Sequence, residues 1–327
     1  MDLKITKKDG TSYTLQEHGF NITDVNIQGI ELEDNLQEID GLHGYFDLGA
    51  TFKGREISVP FSFKGENLTS FPLMRNLIYE LTTSTEPFYI QEMRRPQIAQ
   101  YTFKDVEAKS NAISIDQYGK ETVYDDAQSE NENSTGIRYL VRLTSATEIT
   151  QKNHSSYGSG ELTFSTCGLP FGESIGTSLD LHDNGLEYTD NPLWSYGMGL
   201  SRDPKTRQYR FSKAEDSQNG SYYFYYAGNV ANDQFNQYQK ITFKFNEDLP
   251  QGFAWRFNGA RFSVFDSTSI KKGDVVEYNA PDITKNGLSI INHTNFVTPS
   301  IQVGYNEIKL LTDCDVNIDV DCRFYYL

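Results

Sequence analysis

From Gly44 to Gly65 the chain reads as two consecutive stretches of alternating apolar and polar residues. Phe46, Leu48, Ala50 and Phe52 share one face of the first. Ile57, Val59, Phe61 and Phe63 share one face of the second, with Tyr45, Asp47, Thr51, Ser58 and Ser62 opposite. Lys53-Gly54 lies between them, and glycine accepts the positive φ of a tight turn, so the expectation is a β-hairpin. Pro60 has no N–H to give a ladder, which predicts a sheet edge or a bulge at that point. A one-residue slip would turn four large apolar groups to water, so the register is well specified.

Such a hairpin needs a covering layer. Residues 68–81 supply one, because Met74, Leu77, Ile78 and Leu81 recur at helical spacing with Arg75, Asn76 and Glu80 opposite. Ser70 or Thr69 is the expected cap, and Pro72 is tolerated in a first turn. Upstream, Leu3, Ile5, Val25, Ile27, Ile30 and Leu32 suggest two or three short strands. Downstream, 86–90, 100–106, 112–115, 137–143 and 161–164 read as further strands. The acidic, polar run 116–136 cannot form a core and reads as an exposed excursion, with 112–143 as a long hairpin around it.

Beyond 166–178, a passage rich in Gly, Pro and Ser, the chain is almost entirely strand-like. Segments 222–226, 240–245, 253–257, 261–265, 274–278, 287–291, 305–311 and 313–326 recur at sandwich spacing, with Asn258-Gly259 and Asn286-Gly287 as turns. In the last of them Cys314, Val316, Ile318, Val320 and Cys322 face inward and Asp313, Asp315, Asn317, Asp319 and Asp321 outward. The fold class is therefore mainly β, as two β-sandwich domains: 1–165 with one short helix, and 166–327 as a sandwich or jelly roll.

Composition narrows the function. The net charge is −16, and no dense Lys/Arg cluster exists beyond Arg94-Arg95 and Lys271-Lys272, which argues against DNA binding. No apolar run approaches membrane-spanning length. Cys167, Cys314 and Cys322 cannot all pair, and with no leader ahead of Met1–Ile5 they read as reduced thiols of a protein made in a cytoplasm.

No catalytic, cofactor or metal site is legible. His18, His43, His154, His182 and His293 are scattered, and 45 acidic residues make accidental carboxylate pairs certain. Asp313–Asn317 begins like a calcium loop, but Ile318 stands where glycine is required and Phe324 where the loop needs Glu, so a strand's outer face is the better reading. The run Tyr222–Tyr226 could stack sugar rings, with Tyr223, Tyr225 and Trp255 as a sugar or partner face. The plainer alternative is a strand buried on both sides, with Trp194 and Trp255 as core anchors.

The order of several short motifs resembles the distal tail proteins of siphovirus-type phages that infect Gram-positive bacteria. They are Gly54–Phe63, a short helix, Glu86–Ile90, Gly160–Phe164 with Pro170-Phe171, Asn191–Leu200, Ala227–Val230, Gly273–Glu277, Lys285–Gly287, Val303–Ile308 and Arg323–Leu327. The resemblance implies a hexameric ring built by the N-terminal domain, a protruding hairpin that clasps a neighbour, and a peripheral galectin-like C-terminal domain. It implies as partners the chain itself, the tail tube protein, the tail-tip hub protein and receptor-binding or baseplate proteins. DNA would pass through the lumen without specific binding, and the site of action would be the virion's tail tip. Galectins bind sugar through His-X-Asn-Pro-Arg, whereas here His293-Thr294-Asn295 is followed by Phe296-Val297, so the lectin site is absent. On this reading Arg55, Pro60, Ile115, Ile137 and Tyr139 mark the interface between copies. The alternatives are a carbohydrate-binding adsorption module and a wall hydrolase.

Overall fold

The computed structural model describes residues 1–41, 43–94, 113–115, 121–123, 134–145, 147–152, 155–186, 193–195, 197–201, 203–213, 220–265 and 269–327. The expected strand at 100–106 lies outside the described residues, as do most of 116–136. The chain is mainly β, with two hydrophobic cores, one drawn from residues between Leu3 and Phe164 and the other from residues between Leu181 and Tyr326.

The N-terminal core is wrapped by one antiparallel sheet. Its strands run, in spatial order, Ser12–Thr14, Asp2–Thr6, Phe88–Met93, Ser134–Leu143, Tyr157–Thr166, Glu56–Lys64 and Phe20–Ile22. A flat sheet of seven strands would set its outer strands about 29 Å apart, at about 4.8 Å per step. The two outer strands are joined only by residues 15–19, a connection that spans at most about 20 Å. The sheet therefore curls back on itself, and Leu3, Ile5, Val59, Phe61, Ile90, Val141, Leu162 and Phe164 fill its interior.

Helix α1 (Phe71–Thr82) closes this core with Phe71 and Ile78 buried and Met74, Leu77 and Leu81 half-buried, as the spacing predicts. Its start differs from expectation. Asn67 and Ser70 form a capping box around a preceding 3-10 turn, Leu68–Ser70, and Ser70 offers no side-chain cap to α1 itself. The Tyr13 hydroxyl donates to the Leu81 carbonyl (2.5 Å) and the Tyr79 hydroxyl to that of Thr147 (3.1 Å), tying the C-terminal turn of the helix to its surroundings.

The C-terminal core lies between two sheets. One has the order Arg210–Ser212, Val316–Cys322, Gln239–Phe245, Val275–Asn279, Asp282–Lys285 and Leu288–Ser289. The other has Ser221–Tyr226, Gly304–Leu310, Phe253–Phe257 and Ala260–Val264. Both expected turns are present, with Asn258 and Gly259 at φ 46° and 87° and Asn286 and Gly287 at 51° and 80°. Asn is among the few non-glycine residues that tolerate such φ, which is why Asn-Gly reads so well as a turn. Trp255 sits at the centre of this core, its ring centroid 4.4 Å from Phe262, 4.8 Å from Phe243 and 5.1 Å from Tyr278.

The passage 166–178 holds structure that its composition conceals. Gly172–Ser174 pairs with Ile137-Arg138 on one side and with Tyr325–Tyr326 on the other, so the chain's last strand is stitched to the N-terminal sheet. Helix α2 (Ser178–Asn184) follows behind a Thr177/Asp180 capping box. The Ser178 hydroxyl donates to the Val320 carbonyl (2.8 Å) and accepts from the Cys322 amide (2.9 Å).

Burial pushes the Cys314 thiol up to about 12, helped by the charge of Glu247, and burial pushes Cys322 up to about 12 as well. Cys167 is only half-buried. One thiol of the three should therefore titrate quickly with a disulfide reagent at pH 8 in the native protein, and all three after denaturation. Rapid native titration of more than one would contradict this packing.

Candidate assembly surfaces

The alternation over Ile57–Phe63 is correct, but Phe46–Phe52 does not keep one apolar face, since a bulge sets Phe46 on the face opposite to Phe52, and the expected pairing does not form. Phe46–Phe52 and Glu56–Lys64 do not form a hairpin with each other. The chain runs straight through Lys53-Gly54, and both stretches pair with upstream residues instead. Ile57 and Ser58 lie opposite Ile27 and Asn26. The Gln28 amide then bonds the Glu56 carbonyl (3.0 Å), Glu31 and Gly54 follow (2.8 Å), and Leu32–Gln37 pairs with Phe46–Phe52. A two-stranded ribbon thus extends out of the N-terminal sheet. Asp34 faces Ala50 while Leu36 faces Asp47, so a bulge falls at Leu48-Gly49, with Gly49 at φ 90°.

This displacement inverts the expected burial of the first strand. Leu32, Leu36, Ile39, Tyr45, Phe46, Leu48 and Phe52 are between 46 and 63 % exposed, whereas Ile57, Val59, Phe61 and Phe63 are at most 3 % exposed. Acidic side chains are interleaved with the apolar ones at Glu31, Glu33, Asp34, Glu38, Asp40 and Asp47. Among the described residues only Glu33 of these has an ion-pair partner, Lys53 at 2.8 Å. Of the ribbon's aromatic rings, among the described residues only that of Phe52 meets another ring, lying edge-on to Phe171 at 5.6 Å. A lone two-stranded ribbon is marginal in water, and so many large apolar side chains left exposed on it mark an interaction site.

Within one chain, the residues expected at the interface between copies are placed as follows. Pro60 is not on a free edge, because Glu56–Lys64 pairs with Tyr157–Thr166 on one side and with Phe20–Ile22 and Asn26–Ile27 on the other. The missing N–H is accommodated by a break in that second partner at residues 23–25, opposite Pro60, where the Thr23 amide still bonds the Pro60 carbonyl (3.0 Å). Ile137 packs against both cores and so joins the two halves of one chain, whereas Tyr139 is buried in the N-terminal core beside Arg55. Ile115 lies in Ile113–Ile115, which pairs with Glu121–Val123 and not with 137–143; its side chain lies outside the described residues. The expected 112–143 hairpin is therefore replaced by a short local one. The excursion that contains it leaves and returns at the paired residues Met93 and Ser134.

Arg55 itself is unusual. It is 6 % exposed, its Nη1 donates to the Tyr139 hydroxyl (3.3 Å), and its Nε has no partner among the described residues. Burial raises the pKa of the Tyr139 phenol, an effect that the Arg55 charge only partly opposes. The guanidinium lies at the foot of the ribbon beside Phe52 and Leu327, in a depression of about 440 Å³.

In the C-terminal sandwich Tyr223 and Tyr225 lie on the outer face of the four-stranded sheet. Tyr222, Phe224 and Tyr226 point into the core, so the strand is buried on one side only. Trp255 does not join that face: it is fully buried, because it alternates with Ala254 and Arg256 on a strand whose inner side meets the opposite sheet. The outward carboxylates of the last strand are held by protein groups, Asp313 by Lys213 (2.6 Å), Asp315 by Asn246 (3.0 Å), Asp319 by Arg210 (3.0 Å) and Asp321 by the Tyr238 hydroxyl (2.6 Å). Among the described residues no cluster of His, Cys, Asp and Glu could hold a metal ion, and no helix is long and apolar enough to cross a membrane. Asn295 accepts from the Ser263 amide (3.1 Å) and donates to the Arg261 carbonyl (2.7 Å), so its amide braces a strand edge.

Residues 8–166, a little under half of the chain, match the family described as phage tail protein RIFT-related domain, and this part of the chain is a domain of that family. Over its whole length the chain has the fold of the Dit protein of phage SPP1, whose structure is described as a paradigm of the hub adsorption apparatus in phages infecting Gram-positive bacteria. The two are 11% identical, with a TM-score of 0.57 over 98% of this chain and 99% of that one. A chain of the phage P2 baseplate in its activated conformation aligns over 98% of this chain and 97% of its own, with 11% identity and a TM-score of 0.32. No curated protein matches the chain significantly in sequence.

Replacing Arg55 by Met keeps its packing stem and removes a buried charge without a counter-ion. Stability to denaturant is expected to stay within about 1 kcal/mol of the wild type or to rise. A loss of about 3 kcal/mol or more would show that a carboxylate completes the site within the chain.

Proposed function

We propose that this protein is a non-enzymatic structural subunit of the tail-tip hub, and that its copies assemble into a hexameric ring through the Leu32–Phe52 ribbon. The observation that carries the proposal is the ribbon's large apolar side chains, exposed on both of its strands. Burying one such side chain fully is worth roughly 1.5–3 kcal/mol, so together they offset the cost of ordering a neighbour. The ribbon and the surface that receives it are different patches, so the contact is head-to-tail and closes into a ring when its rotation permits. The ribbon also takes over the clasping role that the resemblance assigns to a hairpin, in place of 112–143. The likeness in fold to a protein described as a hub supports the same reading. In it, the tail tube and the tail-tip hub protein bind the two ring faces, DNA passes through the lumen, and the C-terminal sandwich faces outward.

Light scattering of the purified protein, with negative-stain images of the same fraction, is expected to show a six-copy ring with an open centre. Leu36→Lys combined with Leu48→Lys should lower the mass to that of one chain while leaving the circular dichroism spectrum unchanged, because neither side chain contributes to either core. A strict monomer at high concentration, even with the tail-tip hub protein added, would overturn the ring.

A further inference from the structure

The outer face of the four-stranded sheet carries a feature that the hub reading does not use. Register places Ser221 opposite Lys309, Lys309 opposite Arg256, and Arg256 opposite Arg261, so three cations stand in one rung on three adjacent strands. All three are exposed, and none makes an ion pair among the described residues. The rung spans about 10 Å, two inter-strand spacings. Like charges placed directly opposite destabilise a sheet, and here they do so on a chain with a net charge of −16. The outer face of the other sheet shows the contrast, since its Arg210 and Lys240 are matched by Asp183, Asp319 and Glu277.

Beside this rung on the same face lie three tyrosines. Tyr223 is opposite Glu307 and Tyr225 opposite Tyr305, with the rings of Tyr225 and Tyr305 edge-on at 5.2 Å. Tyr223 and Tyr305 are exposed. Glu307, the carboxylate of this face, accepts from the Ser221 hydroxyl (2.7 Å) and the Tyr223 hydroxyl (3.2 Å), so hydroxyl donors hold it rather than the cations. On the other side of the rung a shallow groove of about 640 Å³ runs past Arg261, Ala254 and Leu311.

We infer that this face binds a linear anionic glycan, with Lys309, Arg256 and Arg261 taking its negative groups and Tyr223, Tyr225 and Tyr305 packing against its rings. Charge complementarity requires an anion, and the spacing of the cations requires one with repeated charges. The tyrosines favour a glycan over an acidic protein. The C–H bonds on a sugar ring's face sit well on the negative face of an aromatic ring, and the tyrosine hydroxyls suit a hydroxylated ligand. The site is independent of the ribbon, so its failure and the failure of the ring are separate results.

The test is fluorescence anisotropy with labelled polygalacturonate as probe, against neutral dextran and poly-L-glutamate of similar length, in the assembled wild-type protein. Polygalacturonate is expected to bind, with affinity that falls as salt is raised, and neutral dextran to bind at least tenfold more weakly. Arg256→Glu with Arg261→Glu should weaken binding at least tenfold, and Tyr225→Ala with Tyr305→Ala at least threefold. Lys8→Glu with Lys64→Glu, on the N-terminal half, should change it less than twofold. The exposed positions leave folding intact, which a thermal melt of each variant checks. No binding of polygalacturonate at low salt, or equal loss in the Lys8 and Lys64 variant, would overturn the inference. So would poly-L-glutamate binding as tightly and without regard to the tyrosines, which would point to an acidic protein surface.

Discussion

The pairing of Glu56–Lys64 with Tyr157–Thr166 is the contact on which the rest of the molecule depends. It runs unbroken from Lys64 opposite Tyr157 to Glu56 opposite Ser165, and the Arg55 amide and carbonyl extend it to the Thr166 side chain and backbone. Ile57, Val59, Phe61, Phe63, Leu162 and Phe164 enter the core from these two strands alone. Because the partners lie about a hundred residues apart, loop closure must be offset by burial before this ladder forms. Once formed, it gives the ribbon a rigid base, since Phe46–Phe52 continues directly from the same segment. A projecting arm transmits force and orientation only if its root is fixed, and the root here is the best-packed strand of the N-terminal half.

The two halves are bound by backbone as well as by side chains. Gly172–Ser174 bridges Ile137-Arg138 and Tyr325–Tyr326, and Arg323 donates to the Ser174 carbonyl (2.6 Å) and to that of Ile175. Arg138 joins Glu173 (2.7 Å) and lies 3.9 Å from the centroid of Tyr89. These groups are half-buried, where charge-assisted hydrogen bonds keep more of their strength than at an open surface. The C-terminal sandwich is thus attached to the sheet that bears the ribbon, and the placement of one follows from the other.

Charge is distributed unevenly over this acidic protein. Where Asp residues line the last strand, Lys213, Asn246, Arg210 and Tyr238 answer them. Where Lys309, Arg256 and Arg261 line a rung, nothing answers them. The ribbon is a third case, with carboxylates set among exposed apolar groups. An unanswered charge or apolar group at a surface costs the monomer little when solvated, and it gains its meaning from what later covers it.

Period-2 alternation, helical spacing and Asn-Gly turns settled which residues face a core: Ile57 to Phe63, Met74 to Leu81 and Cys314 to Cys322 all read correctly, because those patterns are properties of local geometry. They also identified Phe46–Phe52 as a strand, although the bulge at Leu48-Gly49 divides its apolar residues between two faces. The partner of that strand was not legible, because alternation fixes a face and says nothing of what lies across from it. A turn at Lys53-Gly54 was the shortest closure, yet Leu32–Gln37 made the pair. Gly172–Ser174 was illegible for a related reason, since Gly-Glu-Ser carries no apolar signature and becomes a strand only between two existing edges. Arg55 and the Lys309–Arg256–Arg261 rung could not be read at all. Arg256 and Arg261 face each other across the short Asn258-Gly259 turn, but only the closure of long loops brings Lys309 beside Arg256 and Tyr139 beside Arg55.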